Sequence, residues 1–197
     1  MKTLPDILVM DTCVLLSNVL RRLFLRLASQ GCFAPAWSPI IGDEWRRNAA
    51  RIWSATPEDI QEQWAALQAE FPHADQGDVD PFKAGLERSD PKDWHVIAAG
   101  LAAQAASPDK SVAIVTRNIR DFNRTELRRR GLNVFDPDQC LLMFAQRAPE
   151  LVRAMLDRIP GDFIEVGRAV EPIGAVLKRE RLFRLSRLYA DSLVEGT

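Results

Sequence analysis

Ile7-Leu8-Val9-Met10-Asp11-Thr12-Cys13 is the stretch whose reading decides the fold. Four consecutive apolar residues run into a carboxylate, with small or polar residues behind it. A short unbroken apolar run is the pattern of a strand buried on both faces of a parallel sheet. The acid at its end then emerges at the carboxyl edge of the sheet, where open α/β folds bind ligands. Taken alone, Asp11 reads equally well as the N-cap of the following helix. The rest of the chain has to decide.

A second run of the same kind, Val112-Ala113-Ile114-Val115-Thr116, also ends in polar groups: Thr116, Arg117, Asn118 and, further on, Asp121. A third, Asn133-Val134-Phe135, ends at Asp136, with Pro137 opening a helix to about Gln146. Between the first two runs, Leu16, Val19, Leu20, Leu23, Phe24 and Leu27 recur at helical spacing over Val14 to Gln30. Gly31 stands where a left-handed cap belongs. Cys32 to Trp37 reads as a second strand, weakened by Pro35. Ser38-Pro39 and Thr56-Pro57 are each an N-cap followed by proline at the first helical position. They open helices to about Ile52 and Phe71.

Asp90-Pro91 repeats that signature and places Asp93 at the third position of a helix that turns alanine-rich through Ala106. Small residues let that helix lie close on the sheet. A basic helix (Arg124, Arg128, Arg129, Arg130) closes at Gly131. This alternation predicts a three-layer α/β fold: a central parallel sheet flanked by helices, with right-handed crossovers. From Pro149 the pattern is helical only. Leu151 to Ile159 is bounded by Pro160-Gly161, and a longer helix runs from Pro172 to Leu193. The division expected is an α/β domain over residues 1–147 and a C-terminal helical extension over 148–197, packed on the body or on a partner.

Composition narrows the class. A chain of 197 residues has room for one sizeable domain with a helical appendage. With a formal net charge of -1 there is no global basic field, so any nucleic-acid site must be local. Three widely spaced cysteines without ligand spacing argue against structural zinc and against a disulfide framework. No signal-peptide pattern opens the sequence, and no apolar stretch reaches the ~20 residues of a membrane helix. The expectation is a reduced, cytoplasmic protein with no membrane association.

The acids gather at equivalent places: Asp11 after the first strand, Glu44 in a helix, Asp93 in a helix's first turn, and Asn118 with Asp121 after a later strand. Carboxylates brought together without matching bases cannot all stay ionised unless a cation holds them. Oxygen-only ligands suit Mg²⁺ or Mn²⁺. Each acid has a structural alternative. Asp93 fits a helix-dipole acid, Glu44 a solvated acid beside Asn48 or Arg47, and Asp121 a cap for the helix that Phe122 begins. Thr116 ends a strand, and its hydroxyl could also support a metal-bound water. His95 and His73 lack the partners of a general-base triad, and His95 reads as a buried supporting group. The five tryptophans read as packing residues.

The motifs Leu8-Val9-Met10-Asp11-Thr12, Glu44 within Ile41-Gly42-Asp43-Glu44-Trp45-Arg46-Arg47-Asn48, Asp93 before Val96-Ile97-Ala98-Ala99, and Val115-Thr116-Arg117-Asn118 through Asp121-Phe122 occur in an order and spacing that resemble the PIN-domain ribonucleases. The likeness is to bacterial VapC-like toxins in particular. It covers about residues 5 to 145 and leaves the C-terminal helices out. It implies a quartet of acids that binds one or two divalent metals and hydrolyses RNA phosphodiesters. Carried onto this chain, Asp11, Glu44, Asp93 and Asp121 are the catalytic and metal-binding acids, with Thr12, Thr116 and Asn118 supporting them. Asn118 stands where many members have an aspartate. Cys13 replaces a small polar residue and is expected to loosen the hydrogen bonding around the ligands. Arg117, Arg120 and Arg47 are the residues placed to grip RNA backbone. The resemblance further implies a cognate antitoxin as partner and a homodimer. Two alternatives stay open: a non-catalytic metal- or RNA-binding module, and a haloacid dehalogenase-type phosphatase. Against the phosphatase, Cys13 stands where its second aspartate belongs.

Overall fold

The apolar runs form strands because each is buried along its length. β1 (Ile7–Met10), β2 (Ala34–Ala36), β3 (Val112–Val115) and β4 (Leu132–Phe135) make one sheet in the order β2-β1-β3-β4, every pair parallel. This computed structural model describes residues 4–194; residues 1–3 and 195–197, at the outer ends of the two expected divisions, lie outside the described residues. β1 and β3 are the inner strands. Leu8, Val9 and Met10 are fully buried, as is all of β3, and each such Leu, Val, Ile or Met side chain contributes about 1.5–3 kcal/mol. β2 is an edge strand, which is why Pro35 is tolerated in it.

The chain leaves β1 toward β2, then crosses back to β3 and continues outward to β4. The order therefore reverses between β1 and β3, and the carboxyl ends of these two strands flank the switch point where α/β sheets form their crevice. After β1 come α1 (Thr12–Leu15) and α2 (Asn18–Ser29). The long crossover from β2 holds α3 (Pro39–Trp53), α4 (Pro57–Glu70) and α5 (Trp94–Ala106). Right-handed crossovers put α2 on one face and α5 on the other. α6 (Arg124–Arg129) joins β3 to β4, and α7 (Pro137–Arg147) follows. α5 lies against β1, β2 and β3. Its close approach depends on Gly100, where a Cβ would stand 3.2 Å from a Leu132 methyl and 3.6 Å from one of Val9.

The caps at Ser38, Thr56 and Gly31 form as expected, and Asp136 caps α7 by accepting the Gln139 N–H. Four expectations change. The helix over Val14 to Gln30 is two helices, because the Ser17 side chain accepts the Leu20 N–H and restarts the turn. Asp93 is not at the third helical position: Pro91–Asp93 wind as a 3₁₀ turn, and Asp93 becomes the N-cap residue of α5. Pro160-Gly161 does not end a helix but sits in the first turn of a new one. There α8 (Pro149–Asp157) gives way to α9 (Ile159–Glu165), and proline suits that position. The last helix is broken into α10 (Ile173–Arg179) and α11 (Phe183–Val194) at Arg181, whose φ is +61°.

The C-terminal helices pack on the body. α8 meets α7 and α2, and α11 meets α7. Val152, Phe163, Leu177, Leu182 and Leu185 join the same buried cluster as the sheet. Asp162 on α9 accepts hydrogen bonds of 2.8 Å from both Arg22 and Arg26 of α2. The Asp138 carboxylate accepts the Arg184 and Leu185 N–H groups at 2.9 and 3.0 Å, which starts α11. Trp37, Trp45 and Trp64 are buried, with the Trp64 ring against both of the others, as packing residues are. Among the described residues no helix is long and apolar enough to cross a membrane.

Candidate functional site

Pairing of β1 with β3 sets Asp11 beside Thr116 at the switch point, and the Asp11 N–H donates to the Val115 carbonyl. Asp11 is 4 % exposed. Its Oδ2 accepts from the Thr116 hydroxyl at 2.6 Å and from the Cys13 thiol at 3.0 Å. It makes no N-cap bond to α1, so the capping alternative fails. Its carboxylate is held by the neighbouring strand instead.

Cys13 was expected to loosen this network and instead belongs to it. Its sulfur also accepts the Arg117 N–H at 3.2 Å and lies 3.5 Å from the Thr116 hydroxyl. Burial, then the Asp11 charge, pushes the thiol up to about 12, so it stays protonated and can donate. The Thr116 hydroxyl in turn accepts the Asn118 N–H at 3.0 Å. These bonds fix the loop after β3 to the loop after β1.

Glu44 reaches the same edge from α3. Its Oε2 accepts from the Thr12 hydroxyl at 2.9 Å and lies 3.3 Å from His95 Nε2. That approach has ion-pair distance but not hydrogen-bond alignment, leaving the buried His95 Nε2 without a hydrogen-bond partner. Burial pushes the Glu44 carboxyl up; His95, Thr12 and Arg47 outweigh it and hold the group below the ordinary range.

Asp93 makes no capping hydrogen bond with its side chain, but it stands at the N-terminus of α5, where the helix-dipole alternative still fits it. The Asp90 N–H donates to the Asp121 carbonyl at 2.8 Å, tying the start of α5 to the loop after β3. Burial first, then the negative charges of Asp11 and Asp121, push the Asp93 carboxyl up to about 6 against the pull of His95. Asp121 does not cap α6 either; Asn123 does, accepting the Thr125 and Glu126 N–H groups. Thr116 and Cys13 thus hold Asp11, Thr12 and His95 hold Glu44 beside it, and the charges of Asp11 and Asp121 act on Asp93. Among the described residues the four acids do not stand as a ready-made group of three or more metal-ligating side chains.

The expected basic residues are less uniform. Arg117 is ion-paired with Glu180, which also accepts from the Ser17 hydroxyl at 2.8 Å. It is therefore not the open phosphate grip expected of it. Arg120 is exposed, and Arg47 is exposed with its Nε donating to the Asp43 carbonyl at 3.3 Å. Asn118 is exposed at the rim. Sequence reasoning missed the Cys13 bridge and the Glu180 tie. A thiol two residues after an acid is a visible signal for the first; nothing local announces the second. No family model, curated protein or solved structure matches this chain.

Proposed function

We propose that this chain is a metal-dependent endoribonuclease of PIN-like type, the toxin of a toxin–antitoxin pair. One observation carries the reading. Asp93 feels the charges of both Asp11 and Asp121 at the switch point of a parallel sheet, no arginine or lysine among the described residues is ion-paired with any of the three, and Glu44 reaches the same edge. Neighbouring carboxylates repel unless a cation neutralises them. The donor set is oxygen only, which suits Mg²⁺ or Mn²⁺ and not zinc.

Asp11, Glu44, Asp93 and Asp121 would hold the ion. When bound, it supplies a Lewis acid for phosphodiester oxygens and acidifies water. The chain's own groups do the rest. Thr116 and Cys13 fix one Asp11 oxygen by donating to it and leave its other oxygen open. Thr12 orients Glu44 in the same way, and His95 sits behind Glu44 as a buried positioning group. Arg47 and Arg120 offer exposed positive charge to the RNA backbone. A cognate antitoxin and a homodimer belong to the same reading.

Purified protein incubated with RNA and Mn²⁺ or Mg²⁺ tests it. Wild type is expected to cleave, EDTA to stop cleavage, and Asp11→Asn to lower the rate by more than the roughly 100-fold ceiling for losing an outer partner. Equal cleavage by mutant and wild type would overturn the reading. Binding of metal and RNA with no cleavage would favour the non-catalytic module.

A further inference from the structure

Beyond the acids lies a cleft of about 720 Å³ whose wall runs from Arg117 and Asn118 to Arg179, Arg181, Phe183 and Arg184 on the C-terminal helices. Phe183 is 59 % exposed, an unusual setting for a ring at the start of a packed helix. The charges around it are uneven. The three acids of the cleft are already engaged: Asp136 caps α7, Asp138 holds the Arg184 and Leu185 N–H groups, and Glu180 pairs with Arg117. Arg179 is paired with Glu171. Arg181 and Arg184 are exposed and have no ion pair among the described residues, so the ring shares the cleft with two open positive charges.

Arg181 adds a second, independent sign. It occupies the left-handed position just past α10, with the Leu182 N–H on the Leu177 carbonyl at 2.8 Å and the Arg181 N–H on the Lys178 carbonyl at 3.0 Å. That turn favours glycine, and any residue with a Cβ is strained in it. Strained non-glycine residues cluster at ligand clamps and active sites.

We infer that Phe183, Arg181 and Arg184 form a subsite for single-stranded RNA, in which the ring stacks on a base and the two guanidiniums grip flanking phosphates. This rests on the nuclease reading: the strand would leave the acids past Asn118 and run along the cleft. An exposed ring beside unpaired arginines is the combination that single-strand binders use, and it tolerates any base. The subsite gives the C-terminal helices a role that the resemblance to PIN domains does not reach.

The test is fluorescence anisotropy with a labelled oligouridylate of about 12 nucleotides, in EDTA so that nothing is cut. Phe183→Ala is expected to weaken binding about tenfold, the loss of one stacked base, and Phe183→Trp to restore it. Arg181→Gly is expected to weaken binding, to flatten its salt dependence by about one phosphate contact, and to raise the melting temperature. Undiminished binding by Phe183→Ala would overturn the subsite. So would a change in its oligomeric mass without a change in RNA binding, because the ring would then be a protein contact. A parallel cleavage assay with Mn²⁺ separates the two readings. Cleavage by wild type with unaltered binding by Phe183→Ala leaves the nuclease and removes the subsite. Weakened binding by Phe183→Ala without any cleavage by wild type leaves the subsite and removes the nuclease.

Discussion

Glu126 on α6 and Asp93 at the start of α5 are both carboxylates drawn partly out of water, and the chain treats them in opposite ways. Glu126 is buried, yet it accepts the N–H groups of Glu87, Arg88 and Ser89 at 2.8, 3.2 and 3.0 Å and the Ser89 hydroxyl at 2.7 Å. Burial pushes its carboxyl up, but those donors outweigh it and hold the group below the ordinary range. Asp93 has no such donors and faces Asp11 and Asp121, and its carboxyl is pushed up to about 6. A carboxylate that the fold uses arrives with its hydrogen bonds. One that faces other acids without such donors is what the proposed metal site would need.

The largest effect that would sharpen this contrast is on stability. Glu126→Ala strands three backbone donors that now share one charged acceptor, and the expected loss is about 3 kcal/mol in a denaturant titration. A loss within error would mean that water replaces the carboxylate at no cost and that Glu126 is not structural. Next comes Thr116→Val, which keeps shape and removes the hydroxyl on Asp11. Activity should fall by about 10–100-fold, with the fold intact by circular dichroism. Unchanged turnover would detach the Asp11 network from function.

The smallest effect separates the two acids by pH. The folded Asp93 pKa lies above its unfolded value, so its contribution to stability is fully present below pH ~4 and is lost as pH rises through about 6. In EDTA, Asp93→Asn should therefore match wild type near pH 4 and exceed it above pH 6. Discounted for solvent screening, the gain is about 1 kcal/mol. Glu126→Gln has the reverse sign. The depressed Glu126 pKa means that wild type holds its advantage at neutral pH and loses it as pH falls below the ordinary glutamate range. Parallel pH profiles for the two variants would break the comparison.

Much of this was legible in the chain itself. The β1 and β3 runs were readable because inner parallel strands are apolar throughout, and the acids and hydroxyl at their ends followed from that. Ser38-Pro39 and Thr56-Pro57 announced their helices through cap chemistry. Three things were not readable from local pattern. The 3₁₀ turn that makes Asp93 an N-cap residue depends on the Asp90 side chain taking the Lys92 N–H instead of a later one. The break at Arg181 carries no glycine, so nothing marks it until α11 is seen to start on Asp138. Arg117 looked open because its partner, Glu180, lies 63 residues away. Such pairings are long-range, and periodicity says nothing of them.

The most direct test of the central claim is a calorimetric titration of Mn²⁺ into wild type, Asp93→Asn and Glu126→Gln at neutral pH. If the crowded acids at the sheet edge are a divalent-metal site, wild type binds Mn²⁺ and Asp93→Asn binds it more than about tenfold more weakly. Glu126→Gln then binds like wild type. Absence of binding by wild type, or equal binding by wild type and Asp93→Asn, would contradict the account.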